Sequence, residues 1–551
     1  MDRPWLKSYP PGVPAEIDAA AFPSLVALFD ASVARFAALP AYTCLSRTID
    51  YAMLDRLSGE LAGYFQSLGL APGARVALML PNVLQHPVAL FAALRAGCTV
   101  VSCNPLYTAR ELEYQLADSG AEAIVVLENF AATLAQALPG TRVRHVIVTG
   151  LGDLLGPLRG TLVNAVVKHV KRLVPPWRIG GALAWREALE RGRRAGFAPV
   201  ATRGEDIAFL QYTGGTTGVS KGAMLTHRNL VANLEQAHAW IAGKVEEGRE
   251  TIVTALPLYH VFSLTANCLT FLKLGANNVL IPNPRDIPGF VRELAKHRFT
   301  AITGVNTLFH ALLRHPEFAR LDFSALKISL GGGMAVQRGV AERWQALTGS
   351  TLIEAYGLTE TSPAVTINPL DLPAFNGSIG LPVPSTDVAI RDECGRDLPI
   401  GQEGELCVRG PQVMAGYWNR PEETAQVMLP DGFLRTGDIA RMDENGFVYL
   451  LDRKKDMVLV SGFNVYPNEV EAVAMAHPGV LEAAAVGVPH EKSGEAVKLF
   501  VVRRDAALTA EAVIAHCRQN LAAYKVPHLI AFRDELPKTN VGKVLRRALR
   551  E

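Results

Sequence analysis

The sequence lacks an excess of charge of either sign. Its 551 residues include 55 lysines and arginines against 53 aspartates and glutamates, a formal net charge of +2 at pH 7. A nucleic-acid-binding protein would be expected to carry a basic surplus, so this balance argues against that class. The chain is too long for one compact core, and we expect about two to four domains.

Closely spaced cysteines and long hydrophobic runs are also missing. The seven cysteines are scattered and form no CxxC pair, which argues against a zinc site and favours reduced thiols in a cytosolic protein. No apolar run follows residues 1–7, so we expect no signal peptide. Prolines and polar residues interrupt the most apolar region, residues 76–101, which therefore predicts strand, helix and strand and not a membrane span.

What the sequence does contain is a short segment rich in glycine and hydroxyl groups, with one lysine, between two apolar stretches. Glycines let backbone N–H groups approach an anion, and hydroxyls and an ammonium bind phosphate oxygens, so the segment predicts a polyphosphate-binding loop. It does not match the Walker pattern, because Gly222 follows Lys221 where Ser or Thr is required. We expect a hairpin tip and not a flexible spacer. The candidate residues are Tyr212, Thr213, Gly214, Gly215, Thr216, Thr217, Gly218, Val219, Ser220, Lys221, Gly222 and Ala223.

Strand-like and helix-like runs alternate on both sides of this loop. Such alternation predicts parallel sheets covered by helices, and we expect two α/β units in tandem. A helix is predicted at residues 88–95. The strand candidates are residues 76–80, 99–101, 123–127, 207–211, 223–225, 251–255, 278–281 and 301–303.

The pattern changes from about Asp387, where short strands and frequent turns predict a small β-rich unit. A charged break near Lys455 precedes a region with its own helices, for example at residues 467–476, and predicts a domain boundary. The predicted fold class is α/β, with a large N-terminal domain, residues 1–454, made of two tandem α/β subdomains and the β-rich subdomain. A small mobile α+β C-terminal domain, residues 455–551, follows.

Residues 162–174 predict a basic amphipathic helix that the Pro175-Pro176 pair ends. Apolar residues at positions 163, 166, 167, 170 and 174 fall on one side, and Lys168, Lys171 and Arg172 fall mostly on the other. Such a helix could lie on an anionic membrane surface. Packing on the domain with a solvated basic face is the alternative.

Further motifs carry groups suited to a nucleotide. The triplet Gly331-Gly332-Gly333 would let a flat aromatic group lie against the backbone. Tyr356 offers a stacking face, and Glu360 offers a hard oxygen ligand for Mg²⁺. Residues 435–438 and 452–453 provide carboxylate and guanidinium groups of the kind that hold ribose hydroxyls. Each motif is weak alone, since a glycine triplet is usually a turn and a loop glutamate is usually solvated.

In their order and spacing, these motifs together resemble the acyl-adenylate-forming superfamily, which includes acyl-CoA synthetases, luciferases and nonribosomal adenylation domains. The resemblance covers essentially the whole chain. Residues 431–440 are similar to the fatty-acyl-CoA synthetase signature. Residues 303–309, 452–471 and 537–543 are similar to the bacterial long-chain fatty-acid–CoA ligases.

The resemblance implies ATP-dependent activation of a long-chain fatty acid, with Mg²⁺ as cofactor and coenzyme A as cosubstrate. The carboxylate attacks the α-phosphorus to give acyl-AMP and pyrophosphate, and the CoA thiol then attacks the acyl carbon and releases AMP. An adenylating enzyme that serves another acceptor, such as a carrier-protein thiol, is one alternative. A catalytically inactive ATP-binding or fatty-acid-binding protein is another. Dimers are common among similar enzymes, so a homodimer is also implied.

The resemblance also implies roles for individual residues. Thr216 and its neighbours would hold the β- and γ-phosphates, Glu360 would bind Mg²⁺, and Lys543 would bridge the carboxylate and the α-phosphate in the first step only. Rotation about Lys455 would withdraw Lys543 and present the CoA-binding edge to the pantetheine thiol. The adenine and ribose candidates are Gly332, Gly333, Tyr356, Gly357, Thr359, Asp438 and Arg453. The CoA-binding candidates are Ser461, Gly462 and Phe463.

A last set of residues resembles the family segment that lines the acyl pocket. His260 would lie near the reacting carbonyl, and core packing is the alternative for the apolar members of the set. Leu264 stands where some long-chain members carry a gating tryptophan, so that form of gating is not expected. The acyl-pocket candidates are Tyr259, His260, Phe262, Leu264 and Val305.

Overall fold

The computed structural model describes residues 2–213, 220–461, 463–490, 493–539 and 542–550. Within these residues the strands form four sheets. Two sheets are mainly parallel and belong to the large N-terminal part, and two are mainly antiparallel. The predicted α/β class is therefore confirmed.

The first sheet has buried aliphatic strands at its centre. Arg75–Met79 and Ala123–Leu127 are runs of apolar residues without alternation, the pattern of strands covered on both faces. Neighbouring strands are parallel except the last two, Ile207–Tyr212 and Gly222–Thr226, which are antiparallel. In spatial order the strands are Leu183–Ala184, His145–Thr149, Ala123–Leu127, Arg75–Met79, Thr99–Ser102, Ile207–Tyr212 and Gly222–Thr226.

Several helices around this sheet begin at side-chain caps. Thr108 and Glu111 form a capping box at the start of Ala109–Ser119, and Gly120 ends that helix with a φ of 63°. These local signals fix where the helix starts and stops. The helices of the first part are Leu25–Phe36, Tyr51–Ser67, Gln85–Arg95, Ala109–Ser119, Ala131–Ala137, Pro157–Ala165 and Trp185–Ala195.

The second sheet shows that the two α/β units are not strictly sequential. The hairpin formed by Pro40–Cys44 and Arg47–Asp50 comes from the start of the chain but pairs with Asn277–Leu280. In spatial order the strands are Leu381–Pro382, Ala364–Ile367, Leu352–Gly357, Ile328–Gly332, Ala301–Gly304, Thr251–Thr254, Asn277–Leu280, Pro40–Cys44 and Arg47–Asp50. Its helices include His227–Ile241, Val261–Ser263, Thr270–Lys273, Ile287–Leu294, Asn306–Leu313 and Arg338–Thr348.

The third and fourth sheets follow in the C-terminal half. The third is the predicted β-rich unit, with the antiparallel strands Asp387–Arg391, Gly404–Arg409, Leu434–Met442 and Val448–Arg453, and the helix Pro421–Val427 precedes its third strand. The fourth contains Val458–Val460, Phe463–Val465, Val480–His490, Gly494–Arg503 and Leu529–Arg533. Its helices are Pro467–Met475, Ala510–Asn520 and Arg547–Arg550. The domain boundary at residue 455 stays a prediction.

The predicted helix at 162–174 differs from the structure at both ends. An α-helix spans Pro157–Ala165 and continues as a π-helical turn over Val166–Val170. It ends at Val170, because Arg172 adopts a φ of 51° and the N–H of Leu173 returns to the carbonyl of Val167. The following proline pair also disfavours helix in the residue before it. None of the helices in the described ranges is both long and apolar enough to cross a membrane.

Candidate active site

The predicted hairpin around the glycine loop is confirmed by its stem. Ile207–Tyr212 pairs antiparallel with Gly222–Thr226, and Tyr212 lies opposite Gly222. The N–H of Thr213 donates to the carbonyl of Lys221 at 2.9 Å, and the Ser220 hydroxyl donates to the carbonyl of Thr213. The stem therefore closes directly below the tip. The predicted tip residues Gly214, Gly215, Thr216, Thr217, Gly218 and Val219 lie outside the described residues.

Two polar residues of the stem are engaged by neighbouring protein groups. The Tyr212 hydroxyl donates to Asp118 Oδ2 at 2.6 Å. The Tyr212 ring packs against Gly222, since a Cβ added to Gly222 would lie 3.1 Å from the ring. Burial, followed by the hydrogen bond to Asp118, raises the pKa of Tyr212 above its usual range. Lys221 forms an ion pair with Glu423. These two side chains support the stem, and Ala223 within the stem is fully buried.

The glycine triplet and Tyr356 lie at the ends of adjacent parallel strands. Gly332 of Ile328–Gly332 pairs with Ala355 of Leu352–Gly357. Ligands of open α/β sheets bind outside the carboxyl ends of the strands, which is where these residues lie. A Cβ on Gly332 would lie 2.9 Å from Phe262 Cε1, and Gly333 adopts a φ of 76°, so neither position favours a side chain.

The residues that follow Tyr356 continue this edge. A Cβ on Gly357 would lie 1.9 Å from the carbonyl oxygen of Pro363, so the backbone there has room only for glycine. Thr359 begins the 3₁₀ turn Thr359–Thr361, which carries Glu360. The local backbone thus places Glu360 just past the strand end that bears Tyr356.

Tyr356, Asp438 and Arg453 form one connected group. The Tyr356 hydroxyl donates to Asp438 Oδ2 at 2.6 Å, and Arg453 Nε lies 3.3 Å from Asp438 Oδ1. Asp438 and Arg453 face each other on the paired strands Leu434–Met442 and Val448–Arg453. Burial raises the pKa of Asp438, and the positive charge of Arg453 partly opposes that shift. The structure therefore brings the predicted ribose residues to the predicted adenine residue.

Lys543 of the C-terminal part reaches the same place. A Cβ on Gly333 would lie 3.8 Å from Lys543 Cε, and one on Gly542 would lie 2.9 Å from Thr307 Oγ1. Lys543 sits in a tight turn, since its N–H donates to Thr539 Oγ1 at 3.0 Å. Gly542 and Lys543 are thus seated against the large N-terminal part.

The charges around Lys543 shift its titration. Burial of the ammonium group, assisted by the charge of Arg453, lowers the pKa of Lys543 to about 8, and Asp438 and Glu360 oppose this shift. Burial, and next the charge of Lys543, lowers the pKa of His260 to about 4, so its imidazole is neutral at pH 7. His260 Nδ1 accepts from the N–H of Phe262 at 3.3 Å. The site thus holds a cationic lysine and a neutral histidine.

The acyl-pocket candidates divide into two groups. Phe262 and Val305 pack with the core cluster that also includes Phe309, close to Gly332 and Gly542. Leu264 is buried in the larger core cluster and starts the π-helical turn Leu264–Leu269. The Tyr259 carbonyl accepts from Gln211 Nε2 at 2.7 Å. Phe262 and Val305 therefore border the site, whereas Leu264 faces the core behind it.

The predicted CoA-binding edge lies on the surface of the C-terminal part. Phe463 is 57% exposed and stacks on Tyr524, with ring centroids 4.9 Å apart. Ser461 is exposed, has a φ of 51° and donates its N–H to the carbonyl of Ser493 at 2.8 Å. Gly462 lies outside the described residues. Lys455, the predicted hinge, is also exposed.

Two family models match this chain. Residues 29–418 match the model described as AMP-binding enzyme, and residues 469–543 match the AMP-binding enzyme C-terminal domain. The chain belongs to the AMP-binding enzyme family. The predicted superfamily resemblance is therefore confirmed.

Several members of the AMP-binding enzyme family align with nearly the whole chain. A protein named long-chain-fatty-acid–CoA ligase from Yersinia pestis is 58% identical over 552 residues, covering 100% of this chain and 98% of that protein. One of the same name from Haemophilus influenzae is 53% identical over 556 residues, with 100% and 98% covered. The crystal structure of ATP-bound MatB from Rhodopseudomonas palustris is 30% identical, with a TM-score of 0.81 and 95% and 98% covered.

Sequence reasoning missed three residues at this candidate site. Tyr417 donates its hydroxyl to Glu360 Oε1 at 2.6 Å, and Arg420 Nη2 donates to Asp118 Oδ1 at 2.9 Å. A signal was present, because residues 416–421 combine glycine, aromatics, arginine and proline between a strand and a helix. Asp118 had no such signal, because it lies within an ordinary helix.

Proposed function

We propose that this chain activates a long-chain fatty acid with ATP and transfers the acyl group to coenzyme A. In the first step a carboxylate oxygen bonds to the α-phosphorus and pyrophosphate leaves. In the second step the CoA sulfur bonds to the acyl carbon, the thiol proton is lost and AMP leaves. The identity of 53–58% to full-length proteins named long-chain-fatty-acid–CoA ligase supports this assignment.

The position of Lys543 is the observation that carries the proposal. Two negative groups must meet in the first step, so a fixed cation beside them would lower the barrier. Lys543 is the lysine that the C-terminal part inserts beside Gly333, with Asp438 and Glu360 close enough to affect its pKa. A neutral His260 next to it adds no second charge, and its imidazole can donate to a carboxylate or carbonyl oxygen.

Nucleotide recognition is assigned to the strand ends. Asp438 would accept from the ribose hydroxyls, because its carboxylate is buried yet already held by Tyr356 and Arg453. Gly332 and Gly333 would let the adenine ring approach the backbone. The stem of the glycine loop would hold the phosphate-binding tip at the same edge of the sheets.

Magnesium fits the site through one protein carboxylate. In the described part of the chain no cluster of three or more His, Cys, Asp or Glu side chains could hold a metal ion. Mg²⁺ in nucleotide sites is usually bound by one or two carboxylates together with substrate phosphates, and Glu360 can supply one. When bound, the ion would neutralise phosphate charge. Glu360 itself is held by Tyr417, which fixes its Oε1.

The second step is assigned to another edge of the C-terminal part. Lys455 would act as a hinge between residues 1–454 and 455–551, and rotation there would exchange Lys543 for the edge at Ser461 and Phe463. The exposure of Phe463 supports this, since its ring is 57% exposed while Lys543 is half-buried beside Gly333.

The decisive experiment measures AMP release with acids of short, medium and long chain, with and without CoA. We expect CoA-dependent AMP release that is highest with long-chain acids. AMP release that needs a carrier-protein thiol would identify the alternative acceptor. Binding of ATP or fatty acid without AMP release would identify an inactive binding protein and contradict the proposal.

Residues 162–174, together with the start of their helix at Pro157, are proposed to contact an anionic membrane surface. Leu158, Leu162, Val170 and Leu173 are 88%, 64%, 73% and 54% exposed. Lysines and an arginine accompany them, although Lys168 is paired with Glu128. An exposed apolar stripe with adjacent cations is typical of interfacial helices.

Vesicle flotation tests this contact. The double variant Leu158→Ser/Leu162→Ser should float less with phosphatidylserine vesicles than the wild type. Ile400→Ser is the matched control, because Ile400 is an exposed aliphatic residue elsewhere at 51%. Equal flotation of all three proteins would leave the segment as a packed surface helix. A homodimer is proposed from the resemblance, and light scattering would measure its mass.

A further inference from the structure

Residues 414–420 form a segment, here called the buttress, that extends the stem of the glycine loop. It lies between the strand Gly404–Arg409 and the helix Pro421–Val427. The N–H of Ala415 donates to the carbonyl of Met224 at 3.0 Å, and the N–H of Met224 donates to the carbonyl of Gly416 at 2.9 Å. The N–H of Trp418 donates to the carbonyl of Gly222 at 2.8 Å. The buttress thus runs antiparallel to the second strand of the stem and joins it through an isolated bridge between Ala223 and Tyr417.

The first half of the buttress holds Glu360 at two points. The N–H of Met414 donates to the backbone carbonyl of Glu360 at 2.8 Å, and the Tyr417 hydroxyl donates to Glu360 Oε1 at 2.6 Å. Tyr417 is itself fixed, since only 8% of it is exposed and its N–H donates to Thr424 Oγ1 at 2.9 Å.

The same tyrosine contacts the stem lysine. Lys221 Nζ lies 5.1 Å from the centroid of the Tyr417 ring, which is the geometry of a cation–π contact. Glu423, at the start of the following helix, pairs with Lys221. Tyr417 therefore uses its hydroxyl on the carboxylate and its ring on the stem.

The second half of the buttress ties down both strands of the stem through the helix Ala109–Ser119. Arg420 Nη2 donates to Asp118 Oδ1 at 2.9 Å, and the Tyr212 hydroxyl donates to Asp118 Oδ2. The Tyr114 hydroxyl, 3.2 Å from Arg420, donates to the carbonyl of Ser220 at 3.0 Å. The residues on either side of the loop tip are therefore held by one polar network.

We propose that Tyr417 is a positioning residue that keeps Glu360 in register with the phosphate-binding loop. This inference rests on the proposed function, in which Glu360 and the loop hold the magnesium complex of ATP. The Tyr417 side chain contacts both Glu360 and the stem of the loop. Removing only its hydroxyl therefore breaks the contact with Glu360 and keeps the ring contact with Lys221. Simple packing of Tyr417 would not couple its hydroxyl to Mg²⁺.

The test compares equilibrium binding of ATP with and without Mg²⁺, in the absence of a fatty acid. The variant Tyr417→Phe keeps the ring and loses the hydrogen bond to Glu360. We expect the gain in ATP affinity on adding Mg²⁺ to fall by about 10-fold or more, the range found when partners of metal ligands are removed. Affinity for ATP without Mg²⁺ should stay within about twofold, because the ring contact to Lys221 remains.

Tyr449→Phe is the matched control. The Tyr449 hydroxyl also donates to a carboxylate, Asp443, at 3.2 Å, but in the turn of the third sheet. This variant should keep the full Mg²⁺-dependent gain. Should Tyr417→Phe not fold, Tyr417→His keeps a ring and a donor and is expected to restore part of the gain.

A double variant tests whether Tyr417 acts through Glu360. In a Glu360→Gln background, Tyr417→Phe should cause no further loss of Mg²⁺-dependent affinity. An unchanged gain in Tyr417→Phe, an additive loss in the double variant, or no gain in the wild type would each overturn the inference. Failure of the proposed function is separate, since it shows as absent AMP release by the wild type with every acid.

Discussion

Two edges of the C-terminal part differ in their contacts and in their exposure to solvent. Lys543 is inserted beside Gly333 of the large part, and its pKa is lowered to about 8 by burial and by Arg453. Phe463 lies 57% exposed and contacts Tyr524 of its own unit. One edge therefore contacts the candidate site of the large part, while the other is open to solvent. A reaction in two steps could use the two edges in turn.

Lys543→Ala is expected to have the largest effect on activity. Removing a positioned cation from the developing charge should slow acyl-AMP formation by about 100- to 1,000-fold. Pyrophosphate exchange or acyl-AMP formation without CoA measures this step. Lys538→Ala is the control, because Lys538 lies in the same turn but pairs with Glu482 at 2.6 Å. Equal losses of acyl-AMP formation in both variants would contradict a specific role for Lys543.

Glu360→Ala is expected to have the next largest effect. The loss of its carboxylate should raise the Mg²⁺ concentration needed for half-maximal acyl-AMP formation by about 10- to 100-fold. A magnesium titration at fixed ATP measures this shift. Glu405, which is buried and bonds Arg435 in the third sheet, offers the control Glu405→Gln. An unchanged magnesium requirement in Glu360→Ala would contradict the assignment of Glu360.

The pH dependence of acyl-AMP formation tests whether the cationic form of Lys543 is required. Its pKa is lowered to about 8, so the cationic form is present below pH 8 and is lost above it. The value of kcat/KM for ATP should therefore fall about tenfold from pH 7 to pH 9 as the ammonium loses its proton. In Lys543→Arg this basic limb should disappear, because arginine stays charged. A limb that begins only near pH 10 would indicate an exposed lysine.

Phe463→Ala tests the open edge and should have the smallest effect. Losing an aromatic contact to CoA costs about 0.5–1.5 kcal/mol, or roughly two- to twelvefold in the thioester step. Acyl-AMP formation should not change, and stability should stay within about 0.5 kcal/mol because the ring is exposed. Phe532→Ala is not a suitable control because that ring packs in the core of the unit. Leu529→Ala, which is 53% exposed, is suitable.

Local patterns predicted much of the fold. The strand runs at 123–127 and 251–255 coincide with Ala123–Leu127 and Thr251–Thr254, because buried aliphatic runs have few other stable arrangements. The hairpin around the glycine loop followed from its two flanking strands. The pairing of the N-terminal hairpin with Asn277–Leu280 was missed, since periodicity carries no information on long-range partners.

The site was predicted in part, and for a different reason. Lys543, Tyr356 and Asp438 were assigned by resemblance, and the structure brings them to one place. The contact between Asp118 and Arg420 was missed, because the two residues are separated by 302 positions and a local pattern carries no information on such a partner. Thr216 and Gly462 lie outside the described residues, so their predicted roles stay predictions.

The most direct test measures both half-reactions in Lys543→Ala and in Phe463→Ala under single-turnover conditions. Acyl-AMP formation is followed without CoA, and thioester formation is followed from supplied acyl-AMP. We predict that Lys543→Ala loses the first step and keeps the second, while Phe463→Ala keeps the first and slows the second. Equal loss of both steps in Lys543→Ala would contradict the central claim that the two edges serve different steps.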